Sequence, residues 1–364
     1  MSFEIKKKNT PPRQSNFEAL RLLCMVMVLN LHSFFGYDHG SGVWQAFDFF
    51  RESTSVCAVD CFILISGYFG IKWKFKSFFN LIFQIFFYSI GIYLLVAGLG
   101  IVEWNLKDFL MRFACLITQS WGFAINYVLL WFCSPALNAL AEKTTARELF
   151  FHIIVFFCVI NFISVPSSEL FTYALVYMVG RFLRKIEAVS FCFGAGKAYW
   201  TTTIILFVSV YFLLFRTFHI QDAAIVNGWP FGFIGFDYKS PLVILQAVFL
   251  FLVFAKLKFQ NRFVNWCAAS CFAIFLIHMH PTIKQIGYYS FAESLYRYPV
   301  WQHIINLVFL IVVVFIGSIL IDKIRIVISN CFYFLIEKTI IEKYAKWSRL
   351  ESHFSKVVDK VFYR

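Results

Sequence analysis

The sequence predicts an all-α fold, a polytopic membrane helix bundle of about ten transmembrane helices, and three observations predict it. Apolar residues make up 60% of the 364 residues, whereas charged residues make up 15%. Apolar runs of about 17 to 23 residues, the length a bilayer requires, recur along most of the chain. Between them stand short breaks of charged residues or of Gly, Pro, Asn and Ser, the boundaries expected of membrane spans.

The first span is read at 17–36, after an N-terminal segment 1–16 that carries Lys6, Lys7 and Lys8. No small-residue cleavage site follows this apolar run, so no cleavable signal is expected. Further spans are read at 54–71, 77–99, 122–141, 147–164, 169–186, 200–216, 240–257, 263–280 and 299–321. Residues 17–321 therefore form one membrane domain. Two pieces are read as non-spanning. Residues 103–118, with Lys107, Asp108 and Arg112, form a short amphipathic segment on the outer face. Residues 322–364 alternate apolar and basic residues at helical spacing and read as an amphipathic helix on the inner leaflet. No internal repeat of the kind that builds two-half transporters is evident.

The formal net charge is +13. Its distribution explains it. Roughly 25 basic residues fall on alternate loops and the two termini, against about 7 on the opposite loops, which is the asymmetry of cytoplasmic flanks. Both termini are accordingly placed in the cytoplasm. The basic excess reports topology and contact with anionic lipid, and leaves little for nucleic acid. The ten cysteines show no metal or redox spacing. Cys57/Cys61 and Cys267/Cys271 are i,i+4 pairs without partner ligands, read as small packing residues, and no metal site is expected.

Polar residues inside spans are costly and usually face a bundle interior or a wet cavity. On the first span Arg21 and His32 stand eleven residues apart, which returns both to within roughly 20° of one helix face, about 16 Å apart along the axis. His32 lies in the outer third of its span. Asp60 on the second span and His278, in Phe275-Leu276-Ile277-His278, are read at similar depth. A carboxylate near an imidazole fixes its tautomer and raises its basicity, as a general base requires. Asp60 pairing elsewhere, and His278 marking the water interface, are the plainer alternatives. Ser66-Gly67 places a glycine where backbones approach closely or the helix breaks near a ligand. At the inner face Arg21, Lys72, Lys74, Arg181, Arg184 and Lys185 are able to bind phosphate, although ordinary flanking of spans explains all of them except Arg21.

These residues carry a resemblance. Arg21-x10-His32 resembles the first-helix motif of the acyltransferase 3 family, integral membrane proteins that acylate glycans and other acceptors. Phe62-Ile-Leu-Ile-Ser66-Gly67-Tyr68-Phe69 resembles its second-helix motif. Trp121-Gly-Phe-Ala-Ile-Asn126-Tyr127, continuing to Ser134-Pro135-Ala-Leu-Asn138, is similar to its next block. Tyr177-Met-Val-Gly180-Arg181 and Phe275-Leu-Ile-His278 resemble later blocks of its polysaccharide-modifying branch. The five blocks occur in the family's order along the whole membrane portion.

The resemblance implies a multi-pass protein of the bacterial cytoplasmic membrane. It implies acyl-CoA, most often acetyl-CoA, as a donor substrate rather than a permanent cofactor, and a hydroxyl of a cell-envelope or surface glycan as acceptor. His32 would be the general base or a transient acyl carrier, with Asp60 and His278 as catalytic partners. Arg21, Ser66 and Arg181 would contact the donor; Trp121, Asn126 and Tyr127 the acceptor, with Ser66, Asn126 and Tyr127 also candidates to stabilise the oxyanion. The rival class is a non-catalytic membrane transporter of a glycolipid or small solute, whose wet cavity would need the same polar residues.

Overall fold

The computed structural model describes residues 13–34, 43–116, 121–162, 169–190, 193–219 and 231–336, and among them every regular element is helical. The helices are α1 (Ser15–His32), α2 (Val43–Ser55), α3 (Ala58–Phe69), α4 (Phe75–Gly98), α5 (Leu106–Phe113), α6 (Gly122–Lys143), α7 (Ala146–Phe162) and α8 (Glu169–Lys185). They continue with α9 (Ala195–Phe207), α10 (Pro241–Lys256), α11 (Arg262–Ala268), α12 (Cys271–His278), α13 (Ser290–Ser294) and α14 (Val300–Ile336). The described parts of the apolar runs fall on helices or helix pairs. Among the described residues four helices are long and apolar enough to cross a membrane: 75–98, 122–143, 195–217 and 300–335. The third of these is α9 prolonged by wider π-type turns over Val208–Thr217.

Large apolar side chains cover the outside, including Leu94, Leu95, Phe150, Phe151, Val308 and Phe309. In water such a surface would drive association; against lipid it is the ordinary exterior of a bundle. The core lies around α1, which packs against α2, α3, α10, α11, α12 and α14. Leu20, Cys24 and Leu29 on α1 are fully buried, consistent with a helix surrounded on all sides. A second, smaller apolar cluster joins α4, α6 and α12 through Ile85, Tyr88, Trp121, Val128 and Leu276.

Four details depart from the sequence reading. The loop expected after the first span contains α2, whose Asp48 and Arg51 are buried. The helix does not break at Gly67. It ends at Gly70, whose φ of 73° suits only a residue lacking Cβ. Gly67 and Gly180 instead let α3 approach α8: a Cβ on Gly67 would run into the Tyr177 backbone, and one on Gly180 would lie 2.6 Å from the Leu64 carbonyl oxygen and 2.8 Å from the Tyr68 nitrogen. The run read at 263–280 is divided into α11 and α12 by a turn at Ala269–Ser270. Finally, α14 continues through the 321/322 boundary to Ile336 with Asp322 and Arg325 buried. The rest of the tail reading, 337–364, lies outside the described residues, as does most of segment 1–16. The amphipathic segment read at 103–118 contains α5, capped by the Asn105 side chain.

Candidate active site

His32 and His278 are the last residues of α1 and α12. Because both helices pack against each other, the two imidazoles meet, with His32 Nδ1 2.8 Å from His278 Nε2. His278 Nδ1 lies 2.5 Å from the Ile274 carbonyl oxygen. A carbonyl only accepts, so Nδ1 of His278 carries the hydrogen. In the neutral ring Nε2 then holds the lone pair, and the hydrogen between the rings is donated by His32 Nδ1. That leaves the lone pair of His32 on Nε2. The chain Ile274–His278–His32 therefore does for His32 what a carboxylate does in a triad: it sets tautomer and ring orientation. Both helices present their C-terminal, partially negative ends to an imidazole that becomes cationic on accepting a proton.

Asp60 does not take that role. It is fully buried on α3, and neither carboxylate oxygen has a hydrogen-bond partner among the described residues. Its electrostatic neighbours are Asp237, Tyr173 and Tyr238. His32 and His278, read at similar depth, meet, but depth says nothing of azimuth, and Asp60 is paired with His32 by no hydrogen bond.

A cavity of about 670 Å³ opens at the basic end of the bundle. Its walls come from α1 (Glu18, Arg21, Met25), α3 (Phe62, Ser66), α4 (Ser77, Asn80), α6 (Phe123, Tyr127), the α11–α12 turn and α14. Arg21 bonds Glu18 at 2.8 Å, an i,i+3 pair on the same helix face. Ser66 Oγ and Tyr127 Oη are 3.2 Å apart, and Ser66 also donates to the Phe62 carbonyl. Aromatic rings separate this space from the imidazoles. Phe123 and Phe272 line the cavity, and Phe275 packs on both and on His32, with ring centroids 5.5, 6.2 and 6.3 Å apart.

The cavity thus brings together Arg21, Ser66 and Tyr127 of the sequence candidates, with His32 about three turns further along the helix that carries Arg21. The others lie elsewhere. Arg181 bonds Glu142 at 3.3 Å and packs beside the Gly70 turn, away from the cavity lining. Asn126 turns to the Gly122 carbonyl and Glu169. Trp121 is buried edge-on against His280. His280 is structural, its ring reaching the Ser89 carbonyl and the Thr282 backbone N–H. Sequence reasoning missed Arg325, Asn80 and Ser77 in the cavity, and the aromatic trio beside His32. The Asp322–Arg325 i,i+3 spacing on an apolar helix was the available signal.

An all-helical bundle with an apolar exterior, a cationic cavity and a positioned imidazole pair is the build of a membrane-embedded group-transfer enzyme. A family model described as an acyltransferase domain matches residues 14–323, and the chain belongs to this acyltransferase 3 family, a membrane acyltransferase. No curated protein and no solved structure matches it.

Proposed function

We propose that the protein is an acyl-CoA-dependent O-acyltransferase, most simply an O-acetyltransferase, acting on a hydroxyl of a cell-envelope glycan from the bacterial cytoplasmic membrane. The observation that carries this reading is the hydrogen-bonded His32–His278 pair, whose His32 stands on the same helix as the cavity-lining Arg21. The separation of Arg21 and His32, about 16 Å at the helical rise, matches an extended pantetheine arm.

In this mechanism the donor enters at the basic end, its phosphates near Arg21 and its arm along Ser66 and Tyr127. His32 Nε2 takes the proton of the acceptor hydroxyl as its oxygen attacks the thioester carbonyl. The negative charge that forms on the carbonyl oxygen requires a donor, and Ser66 and Tyr127 are the candidates nearest the arm. Collapse breaks the C–S bond, and the proton on His32 passes to the leaving thiolate. Proximity contributes the rest: a thioester is already activated, so holding it beside a positioned hydroxyl supplies much of the acceleration.

The test is transfer of labelled acetyl from acetyl-CoA by the purified full-length protein, with envelope glycan as acceptor. His32→Ala should lower turnover about 10²–10⁴-fold with the protein still folded. Near-normal turnover removes His32 from the chemistry. Transport of a glycolipid without acetylation by the wild type would install the transporter reading instead. Mass spectrometry of surface glycans from cells with and without the gene identifies acceptor and acyl group.

A further inference from the structure

We propose that the basic-end extension of α14 completes a phosphate-binding cradle, in which Arg325, oriented by Asp322, grips the phosphates of the CoA donor opposite Arg21. The inference rests on the donor reading given above and goes beyond it, because Arg325, Ser329 and Asn330 lie past residue 323, where the family match ends.

The extension reaches the cavity because α14 is one uninterrupted helix from Val300 to Ile336. Arg325, Ile326, Ser329 and Asn330 follow an i,i+1,i+4,i+5 pattern that places them on one face, and all four line the cavity. Arg325 is held rigidly. Its Nε donates to Asp322 Oδ1 at 2.8 Å and its Nη2 to Asp322 Oδ2 at 3.0 Å. Asp322 is itself fixed from α4, by the Tyr88 hydroxyl at 2.8 Å and Gln84 Nε2 at 3.4 Å. Ser329 Oγ approaches Asn80 Oδ1 at 3.2 Å and ties the same face to α4.

A guanidinium has five N–H donors. Asp322 takes two of Arg325's and the Tyr88 hydroxyl is a further partner, which leaves donors on the cavity side. An arginine whose remaining donors open on a cavity wall presents them to an anion there. The cavity's own charge says the same. Arg13, Arg21 and Arg325 line it, against Glu18 in the lining and Asp322 behind Arg325, which leaves the site cationic. Planar, forked donors fit phosphate oxygens bidentately, and Ser77, Asn80, Ser329 and Asn330 add neutral partners around them. The adjoining volume, about 670 Å³, is in the range of sites that enclose an organic ligand.

The experiment titrates CoA, and separately pantetheine, which lacks the nucleotide phosphates, onto full-length protein in nanodiscs of zwitterionic lipid. Wild-type protein should prefer CoA. Arg325→Gln should weaken CoA about 10- to 100-fold, the scale of a lost charge-assisted fork, and leave pantetheine unchanged. Arg325→Lys keeps the cation beside Asp322 and should lose less. It also serves if the glutamine variant folds poorly, as judged by the unfolding midpoint of the unliganded protein. Unchanged CoA affinity in both variants overturns the proposal, and so does an equal loss for CoA and pantetheine, which would mean a change of cavity shape. Wild type that binds no CoA at all sinks the donor reading as well. The same chemistry could come from a lipid headgroup, so the variants are also compared for retention of phosphatidylglycerol. Loss of that lipid with CoA affinity intact overturns the donor form.

Discussion

Two aspartate–arginine pairs with the same i,i+3 spacing sit at opposite ends of this bundle. Asp48–Arg51 on α2 stands near the end of α1 that carries His32; Asp322–Arg325 on α14 stands at the basic end. Each carboxylate also accepts from a tyrosine hydroxyl at 2.8 Å, Tyr296 in one case and Tyr88 in the other. The difference lies in where the guanidinium points. Arg51 bonds the side chain and carbonyl of Asn30, the Ser33 hydroxyl, Asp48 and Tyr296, so its donors are committed to protein. Arg325 bonds Asp322 and neighbours the Tyr88 hydroxyl, and its remaining donors face the cavity. Identical local chemistry thus makes a strut at one end, clamping the turn after α1 beside His32, and a binding surface at the other. What decides is the neighbouring volume, filled by α1 in the first case and open in the second.

The largest expected effect tests the strut. Arg51→Met strands a buried carboxylate and should destabilise the protein by about 3–5 kcal/mol, measured by denaturant unfolding in detergent, with donor affinity unchanged in the folded fraction. Wild-type stability for this variant would break the comparison. Next comes the imidazole pair that the strut flanks. His278→Leu should lower the maximal rate on the order of 10²-fold with donor KM unchanged. His278→Gln, whose amide oxygen can still accept from His32 Nδ1, should recover part of it. Equal losses in both would reduce His278 to a packing residue. Gly180→Ala probes the α3–α8 joint that supports both ends. With a Cβ 2.6 Å from the Leu64 carbonyl, it should cost about 1–3 kcal/mol, seen as a lower unfolding midpoint with the ratio of CoA to pantetheine affinity preserved. The smallest effect has the opposite sign. Glu18→Gln removes the one carboxylate lining the cavity and should tighten CoA binding about two- to threefold, since charges near the protein surface act through a high effective dielectric. Weaker binding would mean that Glu18 is needed to hold Arg21 in place.

Much of the site was legible along a single helix. Arg21 and His32 share a face because eleven residues are nearly three turns, and nothing outside α1 is needed to know it. That His278 lies level with His32 followed from counting residues into each span. Which level group meets the imidazole did not follow: the hydrogen bond runs to His278, and Asp60 makes none to His32. Asn126 and Arg181 were singled out by their place in motif blocks, yet one turns to Glu169 and the other braces the Gly70 turn beside Glu142. Arg325 escaped notice because a basic residue after an apolar run reads as ordinary flanking; only the continuation of α14 past that run buries it.

By itself, then, the sequence determined the all-helical class and the axial spacing of residues that share one helix, such as Arg21 and His32, because these depend on composition and on the fixed rise and turn of a helix. The tertiary structure decided azimuth and company. It joined His32 to His278 rather than Asp60, opened a cavity at the α11–α12 turn, and gave Asp48–Arg51 and Asp322–Arg325 different work. The physical reason is that an apolar span of this kind carries little amphipathic signal to say which way it faces, and its rotation is set by close packing against neighbours, at places such as Gly67 and Gly180, that no local pattern encodes.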